Sequence, residues 1–584
     1  MGTISDKLMR VINTKEDIRQ ALISKGYDVP TSIPFKEYAK MILDLPCKAD
    51  SFPDIEGIVA RYYASGLTNE QMAANPVWVD KTGNGHDIQL KNFSWKGMSG
   101  VGGYVQDFND FRNNATVDKV RIDEQSSNSI KVTLLTSGMG HVIYIPKDVY
   151  QFNKSYFIKI SSEGYNEGDL FLSFYAPSTS TATTVKVPLN PNGITEIPAI
   201  KEDDFLAVYL FNAAGKVGSI TIEQLPLYPG ALVFDGVDDC GVCENFPILT
   251  KEKGYTVVAL RQWDQDFLNT TLTGGLLSTR NYSTREGVAF EKIESSNKGY
   301  WNLGTGGIID FAKSPFTWQT SKQYNNVGIL KGDKNHGKPL CVGCGLSGGQ
   351  QCGRFAIWEL VFLDHDATEE ELTKIKDYFV KIYPWLFPDQ AWTVTGKTNE
   401  DEDRATIANI TGNGNDLVCL NLGFIEGSGY NEEGEYAGYL VTDGVDDKIT
   451  SSTFEMGNDW TVIGDWELIN TGKKDNAGIV KFDSIVIYNY NPILINIKNG
   501  RNNLIPGQNT VNVICSDGRI YSKDWKESIY NEETESTSKN LLTIGYSGDS
   551  YTKIAFKNLA IYPTVLSKED CIKAYNYLQT LKSK

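Results

Sequence analysis

Gly230-Ala-Leu-Val-Phe-Asp-Gly-Val-Asp-Asp239 recurs 208 positions later as Gly438-Tyr-Leu-Val-Thr-Asp-Gly-Val-Asp-Asp447. A short β-branched run, then Asp-Gly, then an acidic pair describes a strand entering a tight turn in which glycine relieves the backbone. An internal repeat is read before anything else because it fixes the architecture. The neighbours repeat as well. Upstream, Asp80-Lys-Thr-Gly-Asn-Gly-His-Asp87 answers Asn409-Ile-Thr-Gly-Asn-Gly-Asn-Asp416. Downstream, Gly254-Tyr-Thr-Val-Val-Ala-Leu260 answers Asp459-Trp-Thr-Val-Ile-Gly464, and Arg354-Phe-Ala-Ile-Trp-Glu-Leu-Val-Phe-Leu363 answers Lys553-Ile-Ala-Phe-Lys-Asn-Leu-Ala-Ile-Tyr562. A helix start follows each late strand. Thr368 with Glu371, and Ser567 with Asp570, place a capping hydroxyl three residues before a carboxylate.

The spacing breaks once. Thr82 and Asp235 lie 153 positions apart, whereas Thr411 and Asp443 lie 32 apart, a difference of 121. That is the size of a small domain, and surface loops accept such insertions because closure entropy grows only logarithmically with length. The insertion has strands of its own at Lys131–Leu135, His141–Ile145, Tyr156–Ile160, Asp169–Phe174, Phe205–Phe211 and Ser219–Ile222, a spacing that predicts a β-sandwich. The expected organisation is a helical segment over 1–50, a first β domain over 51–111 and 229–388, an inserted β-sandwich over 112–228, and a second β domain over 389–584.

The net charge of −17 argues against a nucleic-acid surface and against a membrane-surface role. Met1-Gly-Thr-Ile-Ser-Asp6 opens no long apolar run, so synthesis without a standard export signal is expected. Nine cysteines argue against a disulfide framework. Cys240/Cys243 and Cys341/Cys344 raise zinc, but thiols three apart on a strand point to opposite faces, so packing as small hydrophobes is the competing reading. The four histidines, His86, His141, His336 and His365, are scattered and offer little to a triad. Thr395-Gly-Lys-Thr398 lacks the strand-to-helix context of a phosphate loop. The pairs Asp238-Asp239 and Asp446-Asp447, and the run Asn399–Arg404, invite calcium, with self-bonded turns and a solvated loop as the alternatives. No cofactor, catalytic residue or metal ligand is assigned. Trp78, Trp263, Trp358 and Trp460 are expected in the core. Trp95, Trp301 and Trp525 stand in less regular contexts and are the candidate glycan contacts.

Residues 1–47 read as two amphipathic helices, with Ile18, Ala21 and Leu22 on the first stripe, Val29 between, and Phe35, Tyr38 and Ile42 on the second. Two short helices bury too little to stand alone and need a partner. Their pattern, from Thr14-Lys15 to Ile42, resembles the N-terminal attachment segment of bacteriophage fibre and tail-associated proteins. The Thr-Gly-Asn-Gly, Asp-Gly-Val-Asp-Asp and Phe-Ala-Ile-Trp-Glu-Leu motifs resemble the laminin-G-like, or concanavalin-like, jelly-roll family. The insertion resembles a carbohydrate-binding module. Together these resemblances imply a mainly β protein of tandem jelly rolls behind a helical anchor, similar to head-fibre proteins of crAss-like phages. They imply a non-enzymatic virion component on the particle surface, on the head rather than the tail. It would be docked on capsid proteins through 1–50, homo-dimeric or homo-trimeric, and would present glycan-binding domains. The alternative is a tail fibre or receptor-binding protein, or an extracellular glycan-active enzyme or adhesin.

Overall fold

The computed structural model describes residues 52–583, apart from 115–118, 179–181, 249–254, 269, 271, 280–288, 293–297, 302–307, 311–338, 347–349, 435, 470–477, 483–484, 489–493, 498–499, 504–510, 523–524, 526, 530–539 and 548–549. The two expected N-terminal helices, with Ile18, Ala21, Leu22, Val29, Phe35, Tyr38 and Ile42, lie outside the described residues. The described chain is mainly β, built of antiparallel sheets packed face to face. Among the described residues no helix is long and apolar enough to cross a membrane.

Each of the two repeats is organised by its late strand. Arg354–Leu363 is buried along nearly its whole length. One of its edges takes Ile58–Tyr63 (Tyr63↔Glu359) and then Leu232–Asp235 (Leu232↔Ile357); the other takes Thr256–Trp263 (Val258↔Val361). Ile554–Tyr562 is served in the same way by Gln390–Thr393, Leu440–Val441 and Thr461–Leu468. A β-bulge falls at Leu260/Arg261 and again at Asp465/Trp466, corresponding places five residues beyond Thr256 and Thr461. Strands buried on both faces read as continuous apolar runs, which is how Phe-Ala-Ile-Trp-Glu-Leu-Val-Phe-Leu came to be legible. A second sheet closes each core. Trp78, Ile88, Leu90 and Val342 line the first, and Ile407, Leu417, Ile449 and Ile544 the second. Trp78, Trp263, Trp358 and Trp460 are all buried, as expected.

Matching side-chain bonds hold matching turns. The backbone N–H groups of Asp80 and Asn409 donate to Asp87 and Asp416, both at 2.8 Å. The amides of Asn92 and Asn421 donate to the carbonyls of Asp238 and Asp446, both at 3.0 Å. The most informative pair is Asn69 and Asn399. Asn69 opens a helix, Asn69–Ala74, whose Thr68 cap and Gln71 form a capping box. Its amide accepts from Val101 N (2.7 Å) and donates to Val101 O (3.3 Å), standing where a further strand would bond the sheet edge. Asn399 does the same for Tyr430, at 2.7 and 2.8 Å. Gly100 and Gly429 precede those residues because a Cβ there would run into the asparagine amide.

Within the first repeat the chain builds another sandwich. It leaves beyond Gly100–Val101 and returns at Leu232–Asp235, and the two strands are ladder neighbours (Leu232↔Val101). Bonds from Tyr228 N to Gly102 O (2.8 Å) and from Leu227 N to Gly103 O (2.9 Å) extend the pairing outward. The intervening residues form two five-stranded antiparallel sheets. One contains β1 (Arg112–Asn113), β2 (Gly140–Pro146), β3 (Leu170–Tyr175), β4 (Val185–Pro188) and β5 (Ala207–Asn212), in the order β4-β3-β5-β2-β1. Its inner face, with Ile145, Leu172, Phe174, Val208 and Leu210, meets Ile130, Val132, Ile158, Ile160, Ile220 and Ile222 of the other sheet. Phe108 and Phe111 also pack into this core.

Phe52 and the helix Glu369–Ile382 belong to a compact unit of their own, in which the Phe52 ring meets Tyr378 edge-on at 4.9 Å. The last helix, Lys568–Leu578, starts at Ser567, whose hydroxyl accepts from Asp570 N at 3.1 Å. Beyond Leu578 the final turn loosens into shorter-range bonds at Thr580 and Leu581.

Replacing Asn69 by Ala strands a buried N–H and C=O at once, so a loss of about 1–3 kcal/mol is expected in urea unfolding. Asn399→Ala should cost a similar amount.

Candidate functional site

The outer face of the β4-β3-β5-β2-β1 sheet is where aromatic and polar groups converge. Strand alternation sends Val208 and Leu210 inward and leaves Tyr209 and Phe211 outside; on β3 it leaves Phe171, Ser173 and Tyr175 outside. The bulge between β5 and β2 at Tyr209/Phe211 sets His141 opposite Phe211 and Tyr144 opposite Tyr209. Tyr209 is the hub. The His141 ring stacks on it at 4.2 Å and 24°, the Tyr144 ring lies tilted at 5.5 Å, and the Tyr175 ring stands perpendicular at 5.9 Å. His141 also meets Tyr175 at 5.2 Å and Phe211 at 5.3 Å. The Lys186 ammonium on β4 sits 4.4 Å from the Phe211 ring centre, a cation–π contact at the rim. Arg112 on β1 is paired in register with Tyr144 at the opposite rim.

Beneath the rings lies Ser173, fully buried, whose hydroxyl has no hydrogen-bond partner. Its ladder neighbours are Tyr209 and Lys186. An unmade buried hydroxyl costs about 1–3 kcal/mol. Nothing in the inner core uses it. Burial, and next the Lys186 charge, hold the His141 imidazole below its ordinary value of 6.5, so at neutral pH the ring is uncharged and stacks as a flat, weakly polar plate. Such a face offers ring planes for C–H surfaces and phenol, imidazole and ammonium groups for hydroxyls.

The residues expected at a glycan site are elsewhere. Trp95 is half-buried with a left-handed backbone (φ 55°) and stacks on Phe93 at 4.8 Å; Phe424 holds the same conformation (φ 52°) in the second repeat. A position that recurs in this way belongs to the turn. Trp525 is buried against Tyr521 and Tyr575, which makes it a packing residue. Trp301 ends the strand Lys298–Trp301, and its side chain lies outside the described residues. The face around Tyr209 arises instead from the alternation Tyr209-x-Phe211 beside His141 and Tyr175, each in a strand or at its edge.

Two acidic triads, Asp235/Asp238/Asp239 and Asp443/Asp446/Asp447, bring carboxylate oxygens within 4.8 Å of one another, close enough for a cation. Much of their bonding is already spent on the turn. Asp235 accepts from Val237 N (2.8 Å) and Asp443 from Val445 N (2.7 Å). Asp239 accepts from Asp235 N and from the Ser99 hydroxyl, both at 2.9 Å, tying the turn to the neighbouring hairpin. Burial pushes the Asp239 carboxyl up to about 8, and Asp447 is raised for the same reason. In the run 399–404, Asp401 accepts from Thr398 N (2.9 Å) and Asp403 pairs with Lys397 (2.8 Å). His86 bonds through its backbone to Asp80 (3.3 Å), as a turn residue does.

No family model and no curated protein matches this chain. Among solved structures, a Trypanosoma rangeli sialidase in complex with sialic acid aligns over 80% of this chain and 85% of its own, at 8% identity and a TM-score of 0.24. The botulinum neurotoxin serotype D binding domain aligns over 58% and 88%, at 11% identity and a TM-score of 0.22. The receptor-binding domain of the botulinum neurotoxin C/D mosaic serotype does so over 58% and 88%, at 9% and 0.23. These matches correct the expectation of a non-enzymatic phage head fibre on a virion. The structures named here are a sialidase and toxin receptor-binding domains, not capsid or fibre proteins. The physical reason is plain: the fibre reading hung on residues 1–47, outside the described chain, and the remaining motifs are turns common to β-sandwiches. At these scores the likeness assigns no residue and no activity.

Two pH effects follow. For His141 the unfolded chain takes up a proton near pH 6.5 that the folded chain resists, so stability is full above that value and declines as pH falls below it. His141→Phe should flatten that acid limb in thermal melts. For Asp239 the folded chain keeps a proton that the unfolded chain loses from its ordinary 3.8, so stability falls as pH rises from about 4 toward 8. Asp239→Asn should remove that decline.

Proposed function

We propose that this chain is a carbohydrate-binding protein and that the outer face of the β4-β3-β5-β2-β1 sheet takes the sugar. The observation that carries the reading is the set of rings gathered on Tyr209 above the unpartnered Ser173 hydroxyl. A packing layer alone needs no rings on the outside of a sandwich that already has a full core, and it gains nothing from an orphan hydroxyl. A sugar ring supplies a C–H face for the half-buried Tyr175 and Tyr144 rings and hydroxyls for the polar edges beside them, while the buried Tyr209 and Ser173 form the floor beneath.

We read the flanking repeats as a duplicated jelly roll of the laminin-G or concanavalin type, its earlier copy interrupted by the module over 112–228. In that arrangement the repeats carry the module and present its face. Ring stacking contributes about 0.5–1.5 kcal/mol per pair, so a single face binds weakly. Assembly into a homo-dimer or homo-trimer would raise the effective affinity by avidity.

Binding of the full chain to an immobilised glycan panel tests the reading. Tyr209→Ala and Tyr175→Ala should each weaken binding about tenfold, equivalent to about 1.4 kcal/mol. The exposed Lys186→Ala should weaken it less, with an unchanged melting temperature. Equal binding by all three variants, or no binding to any glycan, would overturn it.

A further inference from the structure

The cysteines are grouped by the fold in a way their spacing in the chain does not suggest. Cys240 and Cys243 on β6 (Cys240–Cys243) face opposite sides: Cys243 enters the core of the first repeat, whereas Cys240 joins Cys344 and Cys352 in a separate buried cluster. Cys344 lies on β7 (Cys344–Leu346) and Cys352 on β8 (Gln350–Cys352), which form an antiparallel hairpin with Cys344 directly opposite Cys352. Their sulfurs are 2.7 Å apart. Directly opposed residues of an antiparallel pair have Cα atoms about 4.5–5.5 Å apart, inside the range that a disulfide spans without backbone movement.

The surroundings favour close approach. At Gly275, on the strand next to the hairpin, a Cβ would collide with the backbone of Gly345, and at Gly353 it would meet Gly275 O and the Trp263 ring. Backbone therefore lies on backbone around the three sulfurs. The contact with Cys344, and next the Lys91 charge, hold the Cys240 thiol below its ordinary value.

We propose that Cys344 and Cys352 are a redox pair that closes to a disulfide, with Cys240 as the third thiol that exchanges into it. The oxidant is a low-molecular-weight disulfide such as glutathione disulfide. A thiolate of the pair attacks one of its sulfurs, forming a mixed disulfide and releasing one glutathione thiolate. The second thiolate of the pair attacks the protein sulfur of that mixed disulfide, closing Cys344–Cys352 and releasing the second glutathione. Two electrons pass from the pair to glutathione disulfide, and the two thiol protons end on the two glutathiones. The Cys240 thiolate attacks Cys344 in turn, forming Cys240–Cys344 and freeing Cys352. Because all three sulfurs are buried, oxidation proceeds through transient opening of the hairpin and is slow relative to exposed thiols.

The test is incubation of the full chain with glutathione disulfide, alkylation of remaining thiols, and peptide mapping by mass spectrometry. The expected result is a Cys344–Cys352 link, with a melting temperature raised by about 2–4 °C that reverts on reduction. In Cys352→Ser the link should move to Cys240–Cys344. In Cys240→Ser it should stay at Cys344–Cys352, so the two variants report independently of each other's folding. No link among the three sulfurs under conditions that keep the native circular dichroism would overturn the proposal. So would stoichiometric zinc in the purified protein, lost together with its resistance to alkylation on chelation.

Discussion

The short ladder between Gly100–Val101 and Leu232–Asp235 is the constraint on which the rest of this molecule depends. Chain that leaves one strand of a sheet and re-enters at its immediate neighbour closes its own loop, so a whole sandwich adds little closure entropy to the sheet that bears it. Asn69 completes the ladder's free edge with two bonds, and Gly100 admits it. Without that edge the strand departing toward the middle sandwich would carry unpaired backbone groups into a buried environment.

The same unit is closed at its far end by the last helix. Tyr575 meets Phe157 of the middle sandwich edge-on at 5.4 Å and Trp525 of the second repeat at 5.8 Å, and Tyr577 meets Trp358 of the first repeat at 5.9 Å. Asp465, at the bulge of the second repeat, accepts from the Tyr439 hydroxyl (3.1 Å) and from Gln579 (3.3 Å) just beyond that helix. Lys582 pairs with Asp266 and Gln262 reaches Thr580 at 3.5 Å. The aromatic side chains of one helix thus meet residues of all three β systems.

Most of the architecture was legible because turns and two-sided buried strands write themselves locally. Asp-Gly-Val-Asp-Asp and Thr-Gly-Asn-Gly announce their turns through the residues that must relieve or bond the backbone. Phe355–Leu363 announces its burial by being apolar at every position but Glu359. The cap at Ser567 was visible as a hydroxyl and a carboxylate three residues apart. The face around Tyr209 was not legible in the same way. Each of its rings comes from a different strand, and aromatic residues on strands serve cores far more often than ligands. The cysteine trio was hidden for a related reason. Proximity in the chain paired Cys240 with Cys243 and Cys341 with Cys344, whereas strand alternation separates such neighbours and unites Cys240 with Cys344 and Cys352.

By itself the sequence determined that the chain is mainly β, that a turn-and-strand pattern occurs twice, and that the earlier occurrence is spread apart by a long β-rich segment. These are consequences of backbone conformation and burial period, both encoded within a few residues of one another. Tertiary structure alone decided which side chains meet. Ladder register and a bulge set His141 on Tyr209, Ser173 beneath the rings and Cys344 against Cys352, because contact between strands is a property of how far chain segments are shifted against each other, and no single segment records that shift.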